Sequence, residues 1–237
     1  MTALQFAIGS ANDAADASRD AGRSDKPIPA GLFTRPAAVA AAVAFAGAGL
    51  VLSVPSGPPT LAVAVLGLSV GLAYDLRFRG TRASWLPFAI GVPLLPVYAW
   101  IGATGGLPVE FAVLVPCAVL GGMALAIANA LADVERDRAA GVDSVARGLG
   151  PRRAWRVHAA LLAAMSVGAL GSLVALGAAG EGGALPGAAL AGLGVLVIGA
   201  GIVLVASPAT VERGWEIEAA GMAVLAVGWF IAVGLGR

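Results

Sequence analysis

Apolar runs about as long as a bilayer is thick recur along almost the whole chain, separated by short polar or Pro/Gly-rich breaks. A helix needs roughly 20 mostly apolar residues to cross a hydrocarbon core of about 30 Å. Seven runs meet that requirement, near residues 36–54, 59–76, 84–104, 108–131, 153–178, 185–206 and 217–236. Each is predicted to be α-helical, because a backbone facing lipid must satisfy its own hydrogen bonds. Turn residues mark the breaks, as in the stretch Pro55 to Pro59 and the stretch Gly102 to Pro108. Abundant Gly and Ala permit close helix packing. The pattern therefore predicts an all-α, polytopic transmembrane helical bundle.

Composition agrees: 59% of the 237 residues are hydrophobic and only 12% are charged, which does not fit a soluble domain of this length. The net charge of +1 decides nothing, but its distribution does. Arg19, Arg23, Lys26 and Arg35 precede the first full span, and Arg77, Arg79 and Arg82 follow the second. Arg136, Arg138, Arg147, Arg152, Arg153 and Arg156 follow the fourth, and Arg213 follows the sixth. Every basic residue except Arg237 thus falls on alternate connections, which the positive-inside rule assigns to the cytoplasm. The expected location is the cell membrane, multi-pass, with a lipid bilayer as surroundings and no nucleic-acid partner. Cys117 and His158 stand alone, so Cys- or His-rich metal centres are excluded and any metal would take oxygen ligands. Cys117 reads as a packing residue, His158 as a structural residue at a helix end, and most tryptophans as interfacial anchors. Glu212, Glu216 and Glu218 read as a solvated loop leading into the last helix.

Within this apolar background one polar pattern occurs twice. Asn12, Asp16 and Asp20 are spaced by four, and so are Asn129, Asp133 and Asp137. On an α-helix such positions form one stripe, drifting about 40° per step. Carboxylates gathered in this way repel one another unless a cation or solvent relieves them. Four full spans lie between the copies, so both belong at cytoplasmic ends of helices running in the same direction. A parallel internal repeat follows, with portions 1–131 and 132–237 of a single domain and the two acidic stripes facing across a central cavity. Basic neighbours, including Arg23 after the first copy and Arg138 and Arg147 after the second, suit an anionic, metal-bound ligand such as a diphosphate. Mg²⁺ matches, because it shares its oxygen ligands between one or two carboxylates, water and substrate phosphates. A third patch, Tyr74 to Arg79, adds Arg77 and Arg79 as donors for phosphate oxygens.

With these residues in view, the chain resembles the UbiA superfamily of intramembrane prenyltransferases. The first family motif is carried by Asn12, Asp13, Asp16 and Asp20, continuing through Arg23 to the Lys26–Gly31 segment; the second runs from Asn129 through Asp133 and Asp137 to Gly141. The family's Tyr-x-x-x-x-Lys-Arg patch appears with Tyr74 kept, Arg79 at the Lys position and Gly80 at the Arg position. Against the family's nine helices, the segment Leu4 to Gly9 resembles the end of a longer apolar helix, so the first helix and most of the second are expected to be missing.

The resemblance implies transfer of a prenyl group from an allylic prenyl diphosphate to an aromatic or other lipophilic acceptor, with Mg²⁺ as cofactor. It implies Asp16, Asp20, Asp133 and Asp137 as catalytic carboxylates and metal ligands, with Asp13 as a further or supporting ligand. Asn12, Asn129, Arg23, Lys26, Tyr74, Arg77 and Arg79 are the implied substrate-binding residues. Phosphoribosyl transfer to a polyprenyl phosphate uses similar metal chemistry and stays open, as does a truncated, inactive relative. A cation transporter should carry its carboxylates near mid-span, whereas these lie at helix ends beside basic groups. A CDP-alcohol phosphotransferase needs an Asp-Gly followed by Ala-Arg, which neither copy shows.

Overall fold

A computed structural model of the protein describes residues 1–18, 21–22, 24, 26–178 and 185–235. Among these there is no β-strand. The helices are α1 (Thr2–Asp16), α2 (Arg35–Ser53), α3 (Pro58–Ala73), α4 (Trp85–Thr104), α5 (Phe111–Ala132), α6 (Val134–Ala139), α7 (Val145–Leu149), α8 (Pro151–Ala178), α9 (Leu185–Val205) and α10 (Val211–Leu235). Among the described residues, seven segments built on α2, α3, α4, α5, α8, α9 and α10 are long and apolar enough to cross a membrane. The protein is therefore an all-α, polytopic helical bundle, as the hydropathy pattern predicts.

Two compact units divide the chain. One comprises Met1–Arg79 with Leu94–Leu107, and the other Gly80–Pro93 with Pro108–Arg237. In the first, α1 is short but well anchored. A Cβ on Gly49 of α2 would sit 2.7 Å from Leu4 Cγ, and one on Gly71 of α3 would sit 2.7 Å from Ile8 Cγ1. The two glycines thus make room for α1 side chains that would otherwise find no space. Leu4 and Ala7 are accordingly buried, and Phe6 meets Phe45 with ring centroids 5.4 Å apart. The start of α2 is fixed by Thr34 Oγ1, which accepts from the Ala37 amide at 3.3 Å, with a proline in its first turn.

In the second unit the closest packing lies between α9 and α10. Gly187, Gly194 and Gly201 recur every seven residues on α9, and Gly214, Gly221 and Gly228 do so on α10. They pair antiparallel. A Cβ on Gly194 would lie 2.7 Å from Gly221 O, one on Gly228 would lie 2.7 Å from Gly187 O, and one on Gly201 would lie 2.9 Å from Gly214 O. Each glycine therefore lies against backbone of the other helix, with side chains of Glu218, Val205 and Ile198 also close to Gly201, Gly214 and Gly221, which is how small residues let membrane helices approach. A seven-residue period keeps such a seam facing its partner.

Several polar and aromatic residues lie differently from their expected places. α10 begins at Val211, six residues before the predicted 217, and its three glutamates are helical. Glu212 and Glu216 are exposed, but Glu218 is fully buried and pairs with His158 Nε2 through Oε2 at 2.9 Å. The physical reason is mutual: each group supplies the hydrogen bond that an apolar interior would otherwise deny the other. Trp229 is likewise no interfacial anchor. It is fully buried, donates from Nε1 to Ser172 Oγ at 3.0 Å and packs edge-on against Phe111 at 5.8 Å. Cys117 is buried packing, with its Sγ only 2.8 Å from where a Cβ on Gly168 would stand.

Candidate functional site

The first acidic motif lies at the C-terminal end of α1. Asn12 and Asp13 are half-buried and Asp16, the last helical residue, is buried. Asp20 and Arg23 lie outside the described residues. Among the described residues, the stripe on α1 carries Asn12 and Asp16, the latter at the end of the helix.

Opposite this helix end, within the same unit, α3 runs into the third patch. It widens into a π-helical turn over Tyr74–Phe78, closed by the Arg79 amide donating to Tyr74 O at 2.8 Å. Such turns are rare and concentrate at functional sites. This one brings two groups to the motif. Asp75 Oδ1 accepts from Asn12 Nδ2 at 2.8 Å, and Arg79 forms an ion pair with Asp16. The Asp16 side chain is 5% exposed against 23% for Arg79, so the pair is largely withdrawn from solvent and screened little by salt. Asp75 Oδ2 is buried and makes no hydrogen bond.

The remaining residues of this unit are less involved. Tyr74 is half-buried, Arg77 is exposed, and Lys26 is half-buried in a turn where its carbonyl accepts from Ala30 at 2.9 Å.

The second motif is not one continuous stripe either. Asn129 sits half-buried on α5, Asp133 occupies the break between α5 and α6 with φ −96° and ψ 0°, and Asp137 is on α6. Asp is a poor interior helix former because its side chain competes for local partners. Here Asp133 takes Arg136, three residues on, as an ion-pair partner. The turn is still tight, since the Asp137 amide reaches Asp133 O at 2.8 Å. Arg147 then fastens the segment by donating from Nη1 to Val142 O and, at 3.4 Å, to Asp137 O.

Gly80, at the position where the family places Arg, has φ +71°, and a Cβ there would lie 2.9 Å from Val142 Cγ1. The backbone itself thus favours glycine at this point. Of the two basic residues that could replace the missing donor, Arg82 is held by Asp143 at 2.8 Å and Arg77 stands exposed.

Sequence reasoning gave no site role to two residues that the structure brings to these motifs, Asp75 and Arg136. A lone carboxylate at the end of an otherwise apolar span was the available signal for Asp75.

Among the described residues, no group of three or more His, Cys, Asp or Glu side chains is gathered so as to hold a metal ion. The chemistry of the first unit still fits Mg²⁺ bound together with a phosphate ligand. Its donors are all oxygen, Asp75 Oδ2 is buried without a hydrogen bond, and Mg²⁺ requires only one or two carboxylates beside substrate phosphates.

Long apolar helices, with the motif carboxylates, amides and arginines gathered at helix ends, define a membrane-embedded protein. The family comparison is more specific. The UbiA prenyltransferase family model matches residues 1–215, and the chain belongs to that family. No curated protein matches its sequence. Among solved structures, a UbiA homologue from Aeropyrum pernix K1 is similar, with 20% identity and a TM-score of 0.73 over 98% of this chain and 86% of that one. A digeranylgeranylglyceryl phosphate synthase is also similar, with 16% identity and a TM-score of 0.56 over 99% of this chain and 85% of that one. At these identities the likeness speaks for the fold.

Proposed function

We propose that the protein is a Mg²⁺-dependent transferase that moves a prenyl group from a prenyl diphosphate to an aromatic or other lipophilic acceptor within the membrane. The observation that carries this reading is the cluster of Asn12, Asp16, Asp75 and Arg79 at the end of an apolar bundle, in a chain of the UbiA family. Asp16, Asp20, Asp133 and Asp137 are the proposed catalytic carboxylates, with Asp13 and Asp75 beside the first pair. Bound Mg²⁺ would neutralise charge developing on the leaving diphosphate.

The chain's own residues have separate tasks. Asn12 holds the Asp75 carboxylate in one orientation, and Asn129 has the corresponding place in the second motif. Arg79 has five N–H donors, so it can keep its bond to Asp16 and still reach a phosphate oxygen. Lys26, Tyr74, Arg77 and Arg23 complete the proposed diphosphate contacts. Apolar helix surfaces accommodate the prenyl tail and exclude the water that would quench an allylic cation. The proposed location is the cell membrane, with the motif-bearing helix ends on the cytoplasmic face.

The test is transfer of label from a series of prenyl diphosphates to a panel of acceptors in membranes containing the protein and Mg²⁺. Lipid-glycerol acceptors belong in the panel beside quinone-type rings, because one fold relative is a digeranylgeranylglyceryl phosphate synthase. Transfer should fall at least a hundredfold in Asp16→Ala and in Asp133→Ala, roughly the loss expected when a preorganised electrostatic group is removed. Activity surviving either change overturns the carboxylate assignment.

A further inference from the structure

A groove of about 590 Å³ opens in the second unit where four long helices end: α5 at Ala132 and α9 at Val205 finish beside the starts of α8 at Pro151 and α10 at Val211. Helices long enough to span the bilayer place their ends at the level of the lipid headgroups. The walls have two characters. Leu131, Val205 and Val211 form an apolar side, while Arg136, Arg152 and Arg156 supply positive charge. Trp155 lies between the last two in sequence and is fixed by its Nε1 donating to Ile202 O at 3.1 Å, as suits a residue at the membrane interface.

Two of the arginines are uncommitted. Arg136 is engaged by Asp133, and the one acid lining the groove, Glu135, is held by Arg138 at 2.7 Å. Arg152 and Arg156 are exposed and make no ion pair among the described residues. Spaced by four on α8, they share a helix face and can converge on one anion. An exposed cationic pair beside an apolar wall at headgroup depth complements one class of molecule, an anionic lipid whose phosphate meets the arginines and whose chains lie along the apolar side.

We infer that this groove is a binding site for an anionic phospholipid headgroup, lying beside the second motif, whose Asp133 is held by the groove's Arg136. The test uses the full chain purified in neutral detergent and titrated with phosphatidylglycerol, phosphatidylcholine or inorganic phosphate. Bound lipid is counted by native mass spectrometry and the melting temperature is followed in parallel.

Phosphatidylglycerol should bind in preference to phosphatidylcholine and raise the melting temperature, whereas inorganic phosphate should not. Arg152→Gln with Arg156→Gln should weaken phosphatidylglycerol binding about 30-fold, taking the usual contribution of two basic residues near a lipid surface. Arg153→Gln with Arg213→Gln removes the same charge from exposed positions outside the groove and should leave binding within about twofold. The lysine pair Arg152→Lys with Arg156→Lys should keep most of the binding, which separates lost charge from a folding defect. Unchanged binding in the glutamine pair, equal loss in the Arg153/Arg213 pair, or equal stabilisation by inorganic phosphate would each overturn the site.

Discussion

Asp75→Asn is the sharpest probe of the catalytic reading, because the change keeps the shape of the side chain and removes only its charge. In the structure Asp75 Oδ1 accepts from Asn12 Nδ2 at 2.8 Å, and the other oxygen is buried without a hydrogen bond. An asparagine can present its carbonyl to Asn12 and turn its amide into the vacated direction. The fold then loses one charge-assisted hydrogen bond for a neutral one, about 1 kcal/mol. Ligand binding loses more. A carboxylate that supports a metal site typically accounts for 10- to 100-fold in affinity, or roughly 1.4 to 2.8 kcal/mol.

Two measurements separate the effects: thermal unfolding in detergent, and the Mg²⁺ dependence of prenyl diphosphate binding. Unfolding should move by only a few degrees, whereas half-saturation should need 10- to 100-fold more Mg²⁺. If Asp75 only braces the π-helical turn, Asn12→Ala and Asp75→Asn should lower stability together and leave the Mg²⁺ dependence where it was. That result refutes the proposed role.

The structure makes three further predictions. Gly194→Leu drives a side chain into the backbone of α10, where a Cβ already lies 2.7 Å from Gly221 O. It should cost about 1–3 kcal/mol or more in denaturant titrations, whereas Gly199→Leu, with nothing within 4 Å of its Cβ, should be neutral or mildly stabilising. Glu218→Leu strands His158 Nε2 in the interior and should destabilise by roughly 1–3 kcal/mol; His158→Leu combined with Glu218→Leu should recover part of that loss in a double-mutant cycle. Gly80→Arg restores the family's basic residue but meets a φ of +71° and Val142 Cγ1 at 2.9 Å. Melting temperature should fall by the few degrees that about 1–2 kcal/mol represents, with no gain in diphosphate affinity.

The helical spans were legible because lipid leaves a chain few alternatives: an apolar run of the right length has helix as its satisfied state. Limits within those spans were harder to read. The end of α10 containing Glu212, Glu216 and Glu218 looks like a loop only if each charge is assigned to water, and the periodicity places Glu218 on the face that meets α8 and α9. The seven-residue glycine ladder was present in the sequence too. Glycine abundance obscured it, because glycines at open positions such as Gly192 and Gly199 intervene on the same helix.

At the acidic motifs the spacing was informative about which residues matter and misleading about their geometry. A four-residue period predicts a continuous stripe, but both helices end within the motif, α1 at Asp16 and α5 just before Asp133. Charge explains the interruption. Carboxylates stacked along one helix face repel one another. Ending the helix frees each carboxylate to recruit an arginine: Asp16 takes Arg79 from the turn after α3, and Asp133 takes Arg136 from α6.

The sources of these two arginines differ, and that difference has a functional consequence. Arg136 is 56% exposed in its side chain, so its pairing with Asp133 is open to exchange with solvent ions, whereas the Arg79–Asp16 pair is mostly buried. Charge interactions strengthen as water is excluded and are screened less by salt. Arg79→Gln should therefore weaken prenyl diphosphate binding by more than Arg136→Gln, and its effect should persist at high salt while that of Arg136→Gln fades. Binding measured at low and at about 0.5 M salt, where the Debye length falls to a few ångströms, provides the comparison. An equal salt dependence for the two variants would mean that burial of the first pair does not set the strength of the site.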